Sequence, residues 1–276
     1  MVVLYIIIKG DVIMSVYVIG DCHADIDLRK MFSKERKRKN LNITKDDYVI
    51  VCGDWGAIWY GDHRDWPLDW WKERPWTTIV VLGNHENYDV IETYPLTTFA
   101  GALCREICKD KIYVVERGQI ITLEDKTFFC FGGAQSHDIK DGILDPNNFV
   151  NHDDFKNEVR KYIKLRKSFR IKGTEWWEQE MPTTEEIEKA KANLKEFVNK
   201  HGKVDFMISH CIGSDSLDYL SYLLNELILP DACTDALSDF KEIGNFQWHF
   251  CGHYHIDELV RGKCYTTILY QNIVKI

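Results

Sequence analysis

The 276-residue chain carries no basic excess: 35 lysines and arginines stand against 43 aspartates and glutamates, a formal charge of −8. Proteins that coat nucleic acid or an anionic membrane through their overall charge are usually basic, so both modes are disfavoured here. A local basic patch stays open. A membrane-length apolar run is also missing, because the stretch from Met1 to Ile8 is broken by Lys9 and Asp11, whereas a spanning helix needs about 20 apolar residues. The start lacks the charged opening and small-residue cleavage site of a secretory leader. The nine cysteines lack the even spacing of a disulfide framework. They are therefore expected to be free thiols in a reducing, cytoplasmic setting. The pair in "CREIC", Cys104 and Cys108, lacks the two-residue spacing of a zinc hook and reads as one face of a helix. No repeat or low-complexity linker divides the chain, so one domain is expected over 1–276. Met14 opens a complete first strand, which makes 1–13 an extension or an extra strand, and 138–182 reads as an insertion near the active site.

What is present is a recurring unit, in which a short β-branched or aromatic run stops on glycine or serine plus a polar residue. "VYVIGDCH" ends on Asp21 and His23, "DYVIVCGDW" on Asp54, "TIVVLGNHE" on Asn84 and His85, "VDFMISH" on His210, and "FQWHFCGHYH" on His253 and His255. Such runs are the pattern of strands buried on both faces. Helical stretches lie between them, for example Asp25 to Lys39 and Asp65 to Arg74. This alternation predicts an α/β fold built on a mostly parallel sheet with helices outside. Open α/β sheets place ligands beyond the carboxyl ends of their strands, so all five endings can meet at one place.

Gathered there, Asp21, His23, Asp54, Asn84, His210, His253 and His255 offer carboxylate, amide-oxygen and imidazole donors. That mixture suits manganese, iron, zinc, nickel or cobalt and is too rich in imidazole for magnesium or calcium alone. Seven donors exceed what one catalytic ion takes from protein. With a bridging carboxylate they suit two divalent ions about 3.5 to 4 Å apart, and the chemistry implied is hydrolysis at phosphorus by a metal-held hydroxide.

In order along residues 16–255, "GDCH", "GDW", "GNHE", "SH" and "GHYH" resemble the calcineurin-like metallophosphoesterase superfamily. "GGAQSHD" followed by "EWWEQEMPT" is similar to its bacterial and phage branch. The resemblance implies two mixed β-sheets sandwiched and flanked by helices, a four-layer arrangement with a dinuclear centre at one edge. It further implies that Asp21, His23 and His255 hold the first metal, that Asn84, His210 and His253 hold the second, and that Asp54 bridges both. His85 would act on the leaving group. Many relatives orient that histidine through an aspartate in "GDxxDRG"; here the stretch is "GDWGAIW", with Ala57 at that place and no arginine beside it. The partner of His85 and the arginine that would grip phosphate are thus unassigned, with Asp62, Arg64 and Asp89 the nearby candidates. Ala24 stands where many relatives have glycine.

The other polar residues have plainer readings. His249 sits inside a strand and is structural, while His63, His137, His152 and His201 belong to solvent or to the surroundings of the ligands. Cys22, Cys52, Cys211 and Cys251 pack strand ends as small buried residues. Six tryptophans fall between Trp55 and Trp76. They suit either stacking on a nucleobase or packing of an irregular loop, and Trp55, next to Asp54, is the residue expected to touch substrate. "KNEVRKYIKLRKSFRIK", with Tyr162, Leu165 and Phe169 at helical spacing, is either a cationic helix that concentrates anionic substrate or a solvated face. Thr183 and Glu186 form a capping box, Ile187, Ala190, Leu194 and Phe197 make a core stripe, and Gly202 ends that helix. The region 214–243, with Leu217, Leu220, Leu223 and Leu224, reads as helix and loop covering the sheet.

Taken together, the residues and the resemblance predict a metal-dependent phosphoesterase acting on phosphate mono- or diesters. The favoured substrates are small phosphate esters or nucleotides; nucleic acid is compatible but not favoured, since a site of this kind recognises the phosphoryl group and the surroundings choose the rest. A protein phosphatase, a catalytically inert scaffold of the same fold and a metal sensor or store are the competing readings.

Overall fold

The computed structural model describes residues 14–276, and the expected extension or extra strand at 1–13 lies outside them. The short apolar runs become strands: β1 (Val16–Ile19), β2 (Tyr48–Cys52), β3 (Thr77–Val81), β4 (Leu96–Phe99), β5 (Ala102–Cys108), β6 (Ile112–Val115), β7 (Gln119–Leu123), β8 (Lys126–Phe131), β9 (Ile143–Leu144), β10 (Arg170–Ile171), β11 (Phe206–Ser209), β12 (Trp248–Cys251), β13 (Glu258–Val260), β14 (Tyr265–Ile268) and β15 (Ile273–Lys275). The helices are α1 (Ser33–Arg38), α2 (Trp66–Lys72), α3 (Tyr88–Ile91), α4 (His152–Lys164), α5 (Thr184–His201), α6 (Leu217–Leu224) and α7 (Ala232–Gly244).

Two large sheets result, one in the order β15-β1-β2-β3-β6-β5-β4 and the other β13-β14-β12-β11-β8-β7. Each has a parallel centre (β1–β2–β3–β6, and β8–β11–β12–β14) and antiparallel edges. The alternation of runs and helices thus foretold the parallel centres, and the two mixed sheets are those the resemblance implies.

Period-2 alternation of side chains explains the layers. Val18, Ile50, Ile79 and Val81 face one way and meet Phe128, Ile208 and Phe250 of the other sheet, forming the core between sheets. Phe128 and Phe206 stack there with ring centres 5.0 Å apart. The intervening residues Ile19, Val49, Val51 and Val80 face outward onto Leu28, Leu68 and Trp71. On the opposite side Phe129, Phe131 and Met207 pack on Leu194 of α5 and Leu237 and Phe240 of α7. The order across the molecule is therefore helix, sheet, sheet, helix.

Three sequence expectations are corrected or refined. "CREIC" is strand β5, not a helix face. It is the second arm of a hairpin with β4, turned by Ala100 and Gly101 at φ 50° and 85°, and Ala102 and Cys104 point into the core while Leu103 is exposed. The helix expected from Asp25 to Lys39 breaks at Phe32, which is extended (φ −67°, ψ 149°), leaving a 3₁₀ turn at Leu28–Met31 before α1. That turn is pinned by Lys30, whose buried ammonium donates to the carbonyls of Gly20, Asp21 and Tyr270. The basic stretch forms α4 only as far as Lys164. Arg166 is left-handed at φ 53°, Phe169 folds back onto Tyr162 with ring centres 5.1 Å apart, and the chain continues into β10, which pairs with β9. The Thr183–Glu186 capping box forms as expected. Among the described residues no helix is long and apolar enough to cross a membrane.

Candidate metal centre

Strands β1, β2 and β3 of one sheet and β11 and β12 of the other end at the same edge, and every polar ending named above follows one of them. The two sheets are tied there by polar contacts. Asp21 accepts from the backbone N–H of His253 at 2.9 Å, and His210 donates from Nδ1 to the carbonyl of Cys52 at 2.8 Å. The glycines beside the ligands are required by close approach. A Cβ on Gly83 would lie 2.2 Å from Asp54 Oδ1, and one on Gly53, already at φ 83°, would lie 2.2 Å from His210 Nδ1. Side chains crowd where backbone must pass, and only glycine fits.

Asp54 is the hub. Its Oδ2 lies 3.1 Å from His23 Nε2 and its Oδ1 lies 3.1 Å from His210 Nε2. Asn84 Oδ1 is also 3.1 Å from His210 Nε2, and His255 Nε2 is 3.3 Å from Asp21 Oδ2. Three groups have donor atoms mutually within 4.8 Å: Asp21, His23 and His255; Asp54, His210 and His253; and His23, Asp54 and His85. The first group has the same members as one expected ligand set; the second shares His210 and His253 with the other, with Asp54 in the place expected for Asn84. The third brings in His85, which the sequence reading kept off the metal. The donor set of carboxylate and imidazole fits a divalent transition ion, and the remaining ring nitrogens are held as ligands require. Asp27 Oδ2 takes His23 Nδ1 at 2.8 Å, the Cys52 carbonyl takes that of His210, and Ser136 Oγ meets Asn84 Nδ2 at 3.3 Å, turning the amide oxygen inward.

Backbone strain concentrates at this edge. His23, Ala24, Asp54, His253 and His255 are all left-handed, with φ between 43° and 73°. Non-glycine residues adopt that region at a cost of roughly 1 to 2 kcal/mol each, and strain of this kind gathers at functional sites. Electrostatics are equally unbalanced. Burial would raise Asp54, yet the charge of His210 and hydrogen bonds from His210 and His23 hold it well below the usual carboxylate range. Burial would lower His23 and His210, but Asp54 lifts them to about 8 and about 9. Burial dominates elsewhere, raising Asp21 and depressing His85 and, strongly, His253. Asp54 with His23 and His210 thus forms a carboxylate-imidazolium cluster at the meeting point of the two sheets.

Several residues lie elsewhere than expected. Trp55 does not reach the site: its ring is fully buried beneath the first sheet against Trp71, 6.1 Å between centres. Its loop turns that side chain inward, because its N–H and that of Gly56 are clamped by the buried Glu86 carboxylate at 2.7 and 3.1 Å. Two other tryptophans, Trp59 and Trp66, line a groove with His23 and His85. Asp89 is engaged by Trp177 and Gln179, and Asp62 by Arg64. The charges acting on His85 come instead from Asp54, Arg170, His23 and Asp138. Arg170 and Asp138 were missed, and the basic run of segment 138–182 was the available signal. His137 also joins the site, its Nε2 lying 2.7 Å from His253 Nε2. His249 is structural, bonded to Ser209 Oγ at 2.6 Å within the core, and the cysteines beside the ligands are free and buried.

Among curated proteins none matches the chain in sequence. Among solved structures, GAP50, the anchor in the inner membrane complex of Plasmodium, is similar at 12% identity, covering 92% of this chain and 70% of that one with a TM-score of 0.43. The phosphopantetheinyl hydrolase PptH from Mycobacterium tuberculosis is similar at 14% identity, covering 92% of this chain and 88% of that one with a TM-score of 0.41. At these levels neither says what the chain does. The family is set by a sequence match over residues 14–257 that contains every strand-end donor described above: the chain belongs to the calcineurin-like phosphoesterase family.

Proposed function

We propose that the chain is a hydrolase of phosphate mono- or diesters that works with two divalent ions, manganese, iron, zinc, nickel or cobalt being suited to its donors. Asp21, His23 and His255 would hold one ion and Asn84, His210 and His253 the other, with Asp54 shared between them. The observation that carries this reading is the position of Asp54, 3.1 Å from a histidine of each set. Bound ions would supply a Lewis-acid environment that activates water and neutralises phosphoryl charge.

The chain's own residues do the positioning. Asp27, the Cys52 carbonyl and Ser136 fix the ligand rings and amide, so little reorganisation remains when substrate arrives. Asp54 Oδ1 also accepts the backbone N–H of His85 at 2.8 Å, which sets the imidazole beside the cluster. Depressed by burial, His85 is neutral near pH 7 and offers an N–H donor to the leaving oxygen. The domain is proposed to be single, with 138–182 an insertion that delivers Asp138 and Arg170 to the site. Small phosphate esters or nucleotides are the proposed substrates.

The test is hydrolysis of p-nitrophenyl phosphate and bis-p-nitrophenyl phosphate by the manganese-loaded chain and by His85→Ala. Turnover that falls on losing His85 supports the reading. Two bound ions with no turnover of either ester by the native chain would instead favour the inert scaffold.

A further inference from the structure

The groove that passes His23 and His85 has a volume of about 480 Å³, within the ~300 to 1,000 Å³ range of small-ligand sites. Trp59, Tyr60 and Trp66 supply flat rings to its walls, and Arg64 and Arg170 supply positive charge beside Asp25 and Asp65. Tyr60 and Trp66 are half exposed, at 52% and 50%. Trp59 is held rigidly. Its backbone N–H donates to Asp65 at 3.0 Å, its carbonyl accepts from Asn87 at 2.6 Å, and the Trp177 ring meets it edge to face with centres 5.4 Å apart. Trp177 is in turn fixed by donating to Asp89 at 2.9 Å. A ring held in place by its neighbours while it lines a groove loses little entropy when another ring stacks on it. Arg170 gives Nε and Nη2 to Asp138, leaving Nη1 without a partner among the described residues. It is thereby aimed, next to His85, with an N–H to spare for an anionic oxygen.

We propose that this groove receives the leaving group of a small phosphate ester whose alcohol carries a flat aromatic or heteroaromatic ring, the ring stacking on Trp59 while Arg170 holds a phosphoryl oxygen. This rests on the phosphoesterase reading above and gives that reading a substrate class. The groove's size favours a small ester over a polymer. Its opening at His85 places the ring on the side from which the leaving oxygen departs.

The experiment pairs binding with turnover, using the full manganese-loaded chain. Calorimetry compares 1-naphthylmethylphosphonate with methylphosphonate, neither of which can be hydrolysed, and kinetics compare 1-naphthyl phosphate with glycerol phosphate. The naphthyl ligand is expected to bind at least about tenfold tighter, in line with base–aromatic stacking. Trp59→Ala should abolish most of that ratio and Trp59→Phe should keep most of it, which separates loss of stacking from loss of fold. Arg170→Gln should weaken both phosphonates by about tenfold or more, as expected for a charge-assisted contact. Equal affinity for the two phosphonates, or a ratio indifferent to Trp59→Ala, overturns the proposal even where esters are hydrolysed. A Trp59-dependent ratio without hydrolysis of any ester upholds the ring-binding groove and removes the phosphoesterase reading.

Discussion

Replacing Asp27 with alanine should weaken one of two metal-binding steps and spare the other. Asp27 is not a proposed ligand, yet it holds two side chains of the same ligand set. Its Oδ2 takes His23 Nδ1 at 2.8 Å, and its Oδ1 accepts the Tyr270 hydroxyl at 2.8 Å. The Tyr270 ring stacks on His255 with centres 5.0 Å apart. Losing such a supporting partner lowers metal affinity roughly 10- to 100-fold, which is ~1.4 to 2.8 kcal/mol at a factor of ten per 1.4 kcal/mol. That agrees with ~1.5 to 3 kcal/mol for one hydrogen bond to a charged group. Asn84, His210 and His253 are supported elsewhere, by Ser136, the Cys52 carbonyl and His137, so their set should be little changed. Manganese calorimetry resolves the two steps. Asp27→Asn, which keeps an acceptor oxygen, should cost less than alanine. Equal weakening of both steps, or of neither, would refute the assignment of Asp27 to one ion.

Other outcomes follow from the same structure. Glu86→Ala strands the buried N–H groups of Trp55 and Gly56, which should cost about 1 to 3 kcal/mol for each group left unpaired, measured by urea unfolding of the metal-free chain. Ala24→Gly should be neutral or stabilising by up to about 1 kcal/mol, because Ala24 sits at φ 59° and glycine adopts that region without the Cβ penalty; clear destabilisation would contradict the strain. The metal-free chain should lose stability as pH rises from about 6.5 to about 9. His23 and His210 have folded values of about 8 and about 9, above the unfolded value, so their contribution is complete below pH 6.5 and lost through those values. Melting temperatures that rise over this window in metal-free buffer would contradict the carboxylate-imidazolium cluster.

The site was legible because strand and function share a signature. An apolar run that stops on glycine and a ligand-type residue marks both the end of a buried strand and the face where parallel strands deliver ligands. What was illegible depended on direction or on distant pairing. Neighbours Asp54 and Trp55 leave the same strand, yet one turns into the site and the other into the core, and only the Glu86 clamp thirty-odd residues on decides which. Cys104 and Cys108 are four apart, a spacing that suits one face of a helix and one face of a strand equally, so the hairpin partner β4 had to settle it. Arg170 lines the groove with His85 from strand β10, which pairs with β9, and nothing local in a basic run reports such a pairing. The mixed edges of both sheets arise likewise from long-range neighbours.

Whether Asp54 is shared by two ions is read from the manganese stoichiometry of the native chain and of Asp54→Asn, by elemental analysis after equilibrium dialysis with folding followed by circular dichroism. Two ions per native chain are expected, and at most one in the folded variant at the same free manganese. A native chain holding only one ion at saturation, or a variant that keeps two with unchanged affinity, would contradict that sharing.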